Sequence, residues 1–282
     1  QQYSIETLMS NNRSSGGYFS KDADKLIYSS DKSGIFNIYE VDLSTNEESQ
    51  LTDSKEESFF VRGYSPNTGE VIYSADKGGN ENSHIYLIRE GNSIDLTPGE
   101  NTKASYVGWT NDELGMYIIS NSRDPRFFDL YKIDIVTLES EMVFKNDSGY
   151  NLNSISNNDR YLVLSLNLSR SEQKLFLYDV KSKQQVEISN QAANFSGQNF
   201  DKNDENYFYT TNYDSEFYYL MSYNLKNGER STVYKTNWDV AFSYLSKNNS
   251  YRVIAVNEDA QNKLTIKNMS DQSDLNLIGF EN

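Results

Sequence analysis

A short polar turn followed by an apolar run recurs six times along this chain, and no other feature limits its fold as tightly. The turns open at Ser20 (SKDADKLIY), Ser65 (SPNTGEVIY), Thr110 (TNDELGMYI), Ser156 (SNNDRYLVL), Asp201 (DKNDENYFY) and Ser246 (SKNNSYRVI). Successive turns lie about 45 residues apart, the length of a four-stranded propeller blade. Six such units take up nearly all of the 282 residues. The competing repeat architecture, a linear β-solenoid, needs much shorter coils.

Each unit reads as the same four strands. A first strand precedes the turn (16–19, 59–64, 105–109, 151–155, 195–200, 240–245), with a small residue just before it: Gly17, Gly63, Gly108, Ser154, Gly197 or Ser243. Crowding of innermost strands around an axis gives these small side chains a steric cause. A second strand follows the turn (26–28, 71–73, 116–119, 161–164, 207–209, 253–256). The third alternates apolar and polar: FNIYEVDL, HIYLI, FDLYKIDI, LFLYDV, FYYLMSYNL, LTIKNM. A short fourth strand closes each unit at 49–52, 94–97, 141–144, 186–189, 231–234 and 275–279. The clearest copy is YIISNSRDPRFFDLYKIDI, where the run at Tyr117 predicts a strand covered on both faces and the alternation from Phe128 a half-buried one. The polar stretch SNSRDPRF between them predicts an elaborate loop.

The predicted fold is all-β: a propeller of six four-stranded blades at about 16–52, 58–97, 104–144, 150–189, 194–234 and 238–280. A single four-stranded sheet cannot bury both faces, and ringed blades cover one another; six are expected to close. Residues 1–15 form an arm. Ile5, Leu8 and Met9 fall at helical spacing behind Ser4, a suitable N-cap, so a short helix packed outside the ring is expected.

The residues exclude several chemistries. A net charge of -15 argues against nucleic acid and anionic membranes, both of which call for a basic surface. No apolar run approaches the roughly 20 residues of a membrane helix. With no Cys and one His, neither disulfides nor a zinc site of His and Cys is expected. Any Ser-His-Asp triad would need His84, which opens a third strand beside Ile85 and Tyr86; there is no G-x-S-x-G elbow. No phosphate-binding Gly-rich loop occurs. The loop from Asp76 to Glu81 offers oxygen ligands for calcium without matching the calcium-loop motif. Carboxylates are scattered, and no glycosidase pair stands out. No cofactor is expected.

The loops joining second to third strands would all emerge at one end of a ring, where convergent loops on a rigid scaffold bind ligands. Their charged residues are the binding candidates: Asp76 with Glu81, Arg123 with Asp124, Asp214 with Glu216, and Glu258 with Asp259, alongside Asp31, Ser169 and Arg170.

Several stretches, in this order, resemble one family: SSDKSGIFNIYEVDL, SADKGGNENSHIYLI, DLTPGE, GWTND, SNSRDPRFFDLYKID, TTNYDSEFYYLMSYNL and NWDV. Together they are similar to the N-terminal propeller of bacterial serine peptidases of the prolyl oligopeptidase family, in its acylaminoacyl-peptidase-like branch. Single motifs such as SSDKSG also occur in the TolB translocation protein and its relatives. The resemblance implies a propeller that caps a C-terminal α/β-hydrolase domain, its partner, and admits peptides. The family's triad lies in that hydrolase domain, so the resemblance implies no catalytic residue here. The chain is expected to be a non-catalytic domain of a peptidase, or else a free-standing TolB-like interaction propeller. A start at Gln1-Gln2 fits a processed periplasmic or secreted protein.

Overall fold

The computed structural model describes residues 3–189, 193–246 and 248–275. It falls into two compact units, Gln1–Ser148 and Gly149–Asn282. In the first unit, α1 (Ile5–Met9) precedes three four-stranded antiparallel meanders. Blade 1 is β1 (Ser14–Phe19), β2 (Lys25–Ser30), β3 (Asn37–Asp42) and β4 (Glu48–Gln50). Blade 2 is β5 (Phe60–Tyr64), β6 (Val71–Ala75), β7 (His84–Arg89) and β8 (Asn92–Asp95). Blade 3 is β9 (Ala104–Trp109), β10 (Gly115–Asp124), β11 (Phe127–Asp134) and β12 (Ser140–Phe144).

The second unit repeats the plan. Blade 4 is β13 (Asn151–Ile155), β14 (Tyr161–Asn167), β15 (Gln173–Asp179) and β16 (Gln184–Glu187). Blade 5 is β17 (Phe195–Phe200), β18 (Asn206–Thr211), β19 (Tyr219–Asn224) and β20 (Arg230–Tyr234). Blade 6 is β21 (Asp239–Leu245), β22 (Tyr251–Glu258) and β23 (Gln261–Asn268). The fourth strand expected at 275–279 lies outside the described residues apart from Leu275, whose N–H donates to the Ile266 carbonyl at 2.8 Å, where that strand would begin.

The hydrophobic cores lie between successive blades, which is why the second strands read as continuous apolar runs. Ile27 and Ile38 of blade 1 pack with Val61, Val71 and Tyr73 of blade 2. Ile72, Ile85 and Leu87 of blade 2 pack with Met116, Ile118 and Ile133 of blade 3. In the second unit, Val163, Leu175 and Leu177 of blade 4 meet Phe195, Tyr207 and Tyr209 of blade 5. Phe208 and Leu220 meet Val240, Ile254 and Val256 of blade 6. Each fully buried side chain of this size removes apolar area worth roughly 1.5–3 kcal/mol from water.

Two turn devices recur that the sequence reading did not single out. Every turn between first and second strands holds one left-handed residue: Ala23, Gly69, Glu113, Asp159, Asp204 and Asn249. In five blades the third strand ends in Asp or Asn, whose side chain accepts the N–H two residues on, as Asp42 does from Ser44 (2.8 Å) and Asp134 from Val136 (2.9 Å). This is the Asx-turn geometry that short polar side chains favour.

Four expectations change. The arm ends earlier than residue 15, because Ser14 and Ser15 already pair with Ser30 and Ser29. Helix α1 forms with Ser4 as its cap, accepting from Thr7 N at 3.2 Å, but it buries nothing: Ile5 is 74% and Met9 80% exposed. The elaborate loop SNSRDPRF is almost all strand. β10 runs through Asp124, Asp124 pairs with Phe127, and only Pro125 and Arg126 turn. The first strands carry β-bulges in all six blades, and in five the small residue lies at or beside the bulge, a cause for it besides steric crowding. Gly63 is needed for its φ of 135°, and of Gly17, Gly63, Gly108 and Gly197 it is at Gly197 that an added Cβ would collide with a neighbouring strand, 2.2 Å from the Tyr207 hydroxyl.

Candidate functional site

Polar chemistry concentrates where each third strand opens. The residue there reaches across to the segment leading out of the fourth strand, and the register makes it the same position in five blades: Asn37, His84, Asp129, Lys174 and Tyr219. Asn37 accepts from Ser54 N (2.7 Å) and Thr52 Oγ1 (3.0 Å). His84 Nδ1 lies 2.7 Å from Asp95 Oδ2. Asp129 accepts from Asn146 N at 2.7 Å, and Lys174 Nζ donates to Glu187 at 2.9 Å. Tyr219 donates to the Tyr213 carbonyl at 2.9 Å, and Lys235 Nζ sits 4.5 Å above its ring. One backbone location is thus served by an amide, an imidazole, a carboxylate, an ammonium and a phenol. The single imidazole takes its place in this series and stacks on Tyr86.

The strongest lock is in blade 3. The Asp129 carboxylate is fully buried, and Arg123 grips it with two hydrogen bonds, Nε to Oδ2 at 2.6 Å and Nη2 to Oδ1 at 2.8 Å. Arg123 also donates to the Asn146 carbonyl at 3.0 Å and pairs with Asp147 at 3.2 Å. Burial by itself would raise the Asp129 carboxyl. The Arg123 bonds and the Asn146 N–H outweigh it and hold the carboxyl below its ordinary value. The neighbouring charges hold Arg123 protonated well above the usual guanidinium range.

The other candidates behave similarly within their own hairpins. Asp124 pairs with Arg126 at 2.7 Å and accepts its N–H, which pushes the carboxyl far below the usual range. Asp76 accepts the Glu81 N–H at 2.8 Å, so the loop considered for calcium closes on itself, with Glu81 left-handed at φ 62°. Glu258 pairs with Lys263 at 2.8 Å, and Asp259 lies in the two-residue turn between β22 and β23. Asp31 grips Arg13 through N–H and guanidinium, at 2.7 and 2.8 Å. Asp214 takes a left-handed φ of 50° in the exposed β18–β19 loop, two residues from Glu216. The structure thus brings Arg123 to Asp129 and Asp124 to Arg126, pairings that sequence spacing could have suggested.

Each unit has one recess of note. In the first, a polar groove of about 500 Å³ is lined by the segment from Leu51 to Glu57, with Phe59, Gly91 and Ser93. In the second, a cavity of about 280 Å³ is lined by Phe195, Tyr209, Thr211, Tyr213, Tyr219, Met221 and Arg230. Neither was visible in the sequence, since their linings join residues distant along the chain. Among the described residues, no group of three or more His, Asp or Glu could hold a metal ion.

Antiparallel meanders that bury their cores between one another define a β-propeller domain. The family model for the prolyl oligopeptidase N-terminal β-propeller domain matches residues 52–280, and the chain belongs to that family. Dipeptidyl aminopeptidase BIII of Pseudoxanthomonas mexicana is 33% identical over 88 residues, which is 30% of this chain and 12% of that protein. Among solved structures, one from a study of two prolyl endopeptidases and their inter-domain dynamics aligns over 95% of this chain and 43% of its own, with a TM-score of 0.73 and 12% identity. The chain therefore spans less than half of either relative. An oligogalacturonate lyase of Vibrio parahaemolyticus (TM-score 0.65, 17% identity, 91% of this chain and 75% of that one) shares the fold. So does TolB of Acinetobacter baumannii (TM-score 0.53, 11% identity, 97% and 71%).

Proposed function

We propose that this chain is the non-catalytic propeller domain of a prolyl-oligopeptidase-type serine peptidase, and that it docks on an α/β-hydrolase domain and gates the access of peptides to it. The observation that carries this reading is the family match over residues 52–280 together with six repeats of one blade plan. The hairpin chemistry supports it: Arg123, Asp124, Asp76 and Glu258 hold their own blades, as a rigid filter requires. A scaffold that excludes folded proteins by sterics needs fixed loop positions more than reactive groups. The net charge of -15 adds a long-range preference for peptides with basic residues or a free amino terminus, which salt weakens. A periplasmic or secreted location fits this role.

The test is a length series assayed on the native polypeptide that carries this domain. Short peptides should be cleaved and folded proteins spared, and the 282-residue chain alone should cleave neither. Equal rates on peptides and folded proteins would remove the gating role. Cleavage by the isolated chain would remove the assignment as non-catalytic.

A further inference from the structure

The repeat supplies its own control for the cavity in blade 5. Two residues after Asn37, His84, Asp129 and Lys174, blades 1 to 4 place an aromatic ring: Tyr39, Tyr86, Tyr131 and Phe176. Their cross-strand partners are Tyr28, Tyr73, Ile118 and Leu164. In blade 2 the rings form a continuous column, with Phe59 to Tyr73 at 4.9 Å, Tyr73 to Tyr86 at 5.0 Å and His84 to Tyr86 at 6.2 Å. Blade 5 keeps the column's other members, Phe195 and Tyr209 at 5.8 Å. At the register position opposite Tyr209, however, it carries Met221. A thin flexible thioether stands where a ring stands elsewhere, and the cavity of about 280 Å³ lies at that place. This is close to the lower end of small-molecule pockets, roughly 300–1,000 Å³.

The polar groups of the cavity have a definite sign. Arg230, in the wall, donates Nε to the Ile188 carbonyl at 2.8 Å and Nη1 to the Gly228 carbonyl at 3.3 Å. Among the described residues neither Arg230 nor Lys235, beside Tyr219, joins an ion pair, although the chain carries a net charge of -15. Tyr209, in the lining, is 3% exposed. Burial pushes its hydroxyl up to about 12, and the Arg230 charge partly opposes the shift. Tyr213, 38% exposed, stands in the lining as well.

We propose that this cavity binds an aromatic side chain bearing a carboxylate, free or as the C-terminal residue of a peptide, with the ring in the space next to Met221 and the carboxylate on Arg230 and the Tyr209 hydroxyl. Flat rings stack on the tyrosines and Phe195, the thioether gives a favourable sulfur–ring contact, and the guanidinium recognises the carboxylate. The inference stands on blade 5 alone and survives if the chain gates no peptidase.

Isothermal titration of the chain with N-acetyl-L-phenylalanine, its carboxamide and a short peptide ending in Phe tests it. The acid should bind at least about tenfold more tightly than the carboxamide, the ratio a charge-assisted contact supplies. Met221→Tyr, or Met221→Phe as a second filler, should abolish binding while raising the melting temperature, whereas Met221→Leu should keep binding. Arg230→Gln should bring acid and carboxamide to equal affinity. Tighter binding of the peptide than of the acid identifies a peptide C-terminus; equal binding identifies a free aromatic acid. No binding at millimolar acid, an unchanged affinity in both fillers, or equal affinity for acid and carboxamide in the unmodified chain would overturn the proposal.

Discussion

The β10–β11 hairpin of blade 3 and the β18–β19 hairpin of blade 5 occupy the same place in the repeat and use it in opposite ways. In blade 3 the residue at the shared third-strand position, opposite Ser120, is Asp129, fully buried and held by Arg123, with Tyr131 supplying the ring two residues on. In blade 5 it is Tyr219, tied by one hydroxyl bond, with Met221 two residues on and a cavity beside it. The ladder register is common to both as far as Asp129 and Tyr219; beyond it β10 and β11 extend to Asp124 and Phe127 and carry Arg123, whereas β18 and β19 leave a loop over 212–218, so the contrast comes from side chains and from hairpin length together. A blade can lock its outer hairpin with buried charge carried on an extended ladder, or leave room there.

The largest effect that sharpens this contrast is expected from Arg123→Met. It strands a buried carboxylate, which costs about 3–5 kcal/mol, read as the loss of unfolding free energy in urea. Tyr86→Ala, which opens in blade 2 the kind of space blade 5 already has, should cost about 3 kcal/mol by the same measurement. An equal loss from Met221→Ala would break the comparison, since blade 5 already lacks that ring. Tyr219→Phe removes one hydroxyl bond and should cost about 1 kcal/mol.

Acid separates the two hairpins further. The folded pKa of Asp129 is held below its ordinary value, so its contribution to stability is present above the ordinary carboxylate range, near about 3.9, and is lost as pH falls through the folded pKa. The stability gap between the unmodified chain and Asp129→Asn should therefore narrow as pH drops below that range, while Tyr219→Phe shows no such trend. Urea titrations at several acid pH values check this. The smallest effect is expected at Ala23, an exposed non-glycine residue at φ 56°. Ala23→Gly relieves a left-handed strain of about 1 kcal/mol, less the entropy glycine loses on folding, and should raise the melting temperature slightly.

Much of this was legible in the residues. The second strands, the six polar turns and the Ser4 cap all followed from local spacing, because each depends on neighbours within a few positions. The loop SNSRDPRF was misread because polar residues in a row look like loop. Here Arg123 and Asp129, six residues apart, face each other across an extended hairpin and turn that polarity into a cross-strand tie. The packing of α1 was misread as well, since helical spacing sets a stripe without saying whether anything covers it.

The candidate residues follow the same rule. Their identity and their position in hairpins could be read from the chain, but their partners could not. Whether Asp76 meets a ligand or the Glu81 N–H depends on how a six-residue loop folds back. The sequence by itself determined the module, its length and its count, because hydrophobic periodicity and turn chemistry are short-range properties; the family came from the resemblance of particular stretches such as DLTPGE and SNSRDPRFFDLYKID. The tertiary structure decided which charges are consumed within blades and where Met221 leaves space, because packing joins residues from strands far apart in the chain and depends on volume that no periodic pattern records.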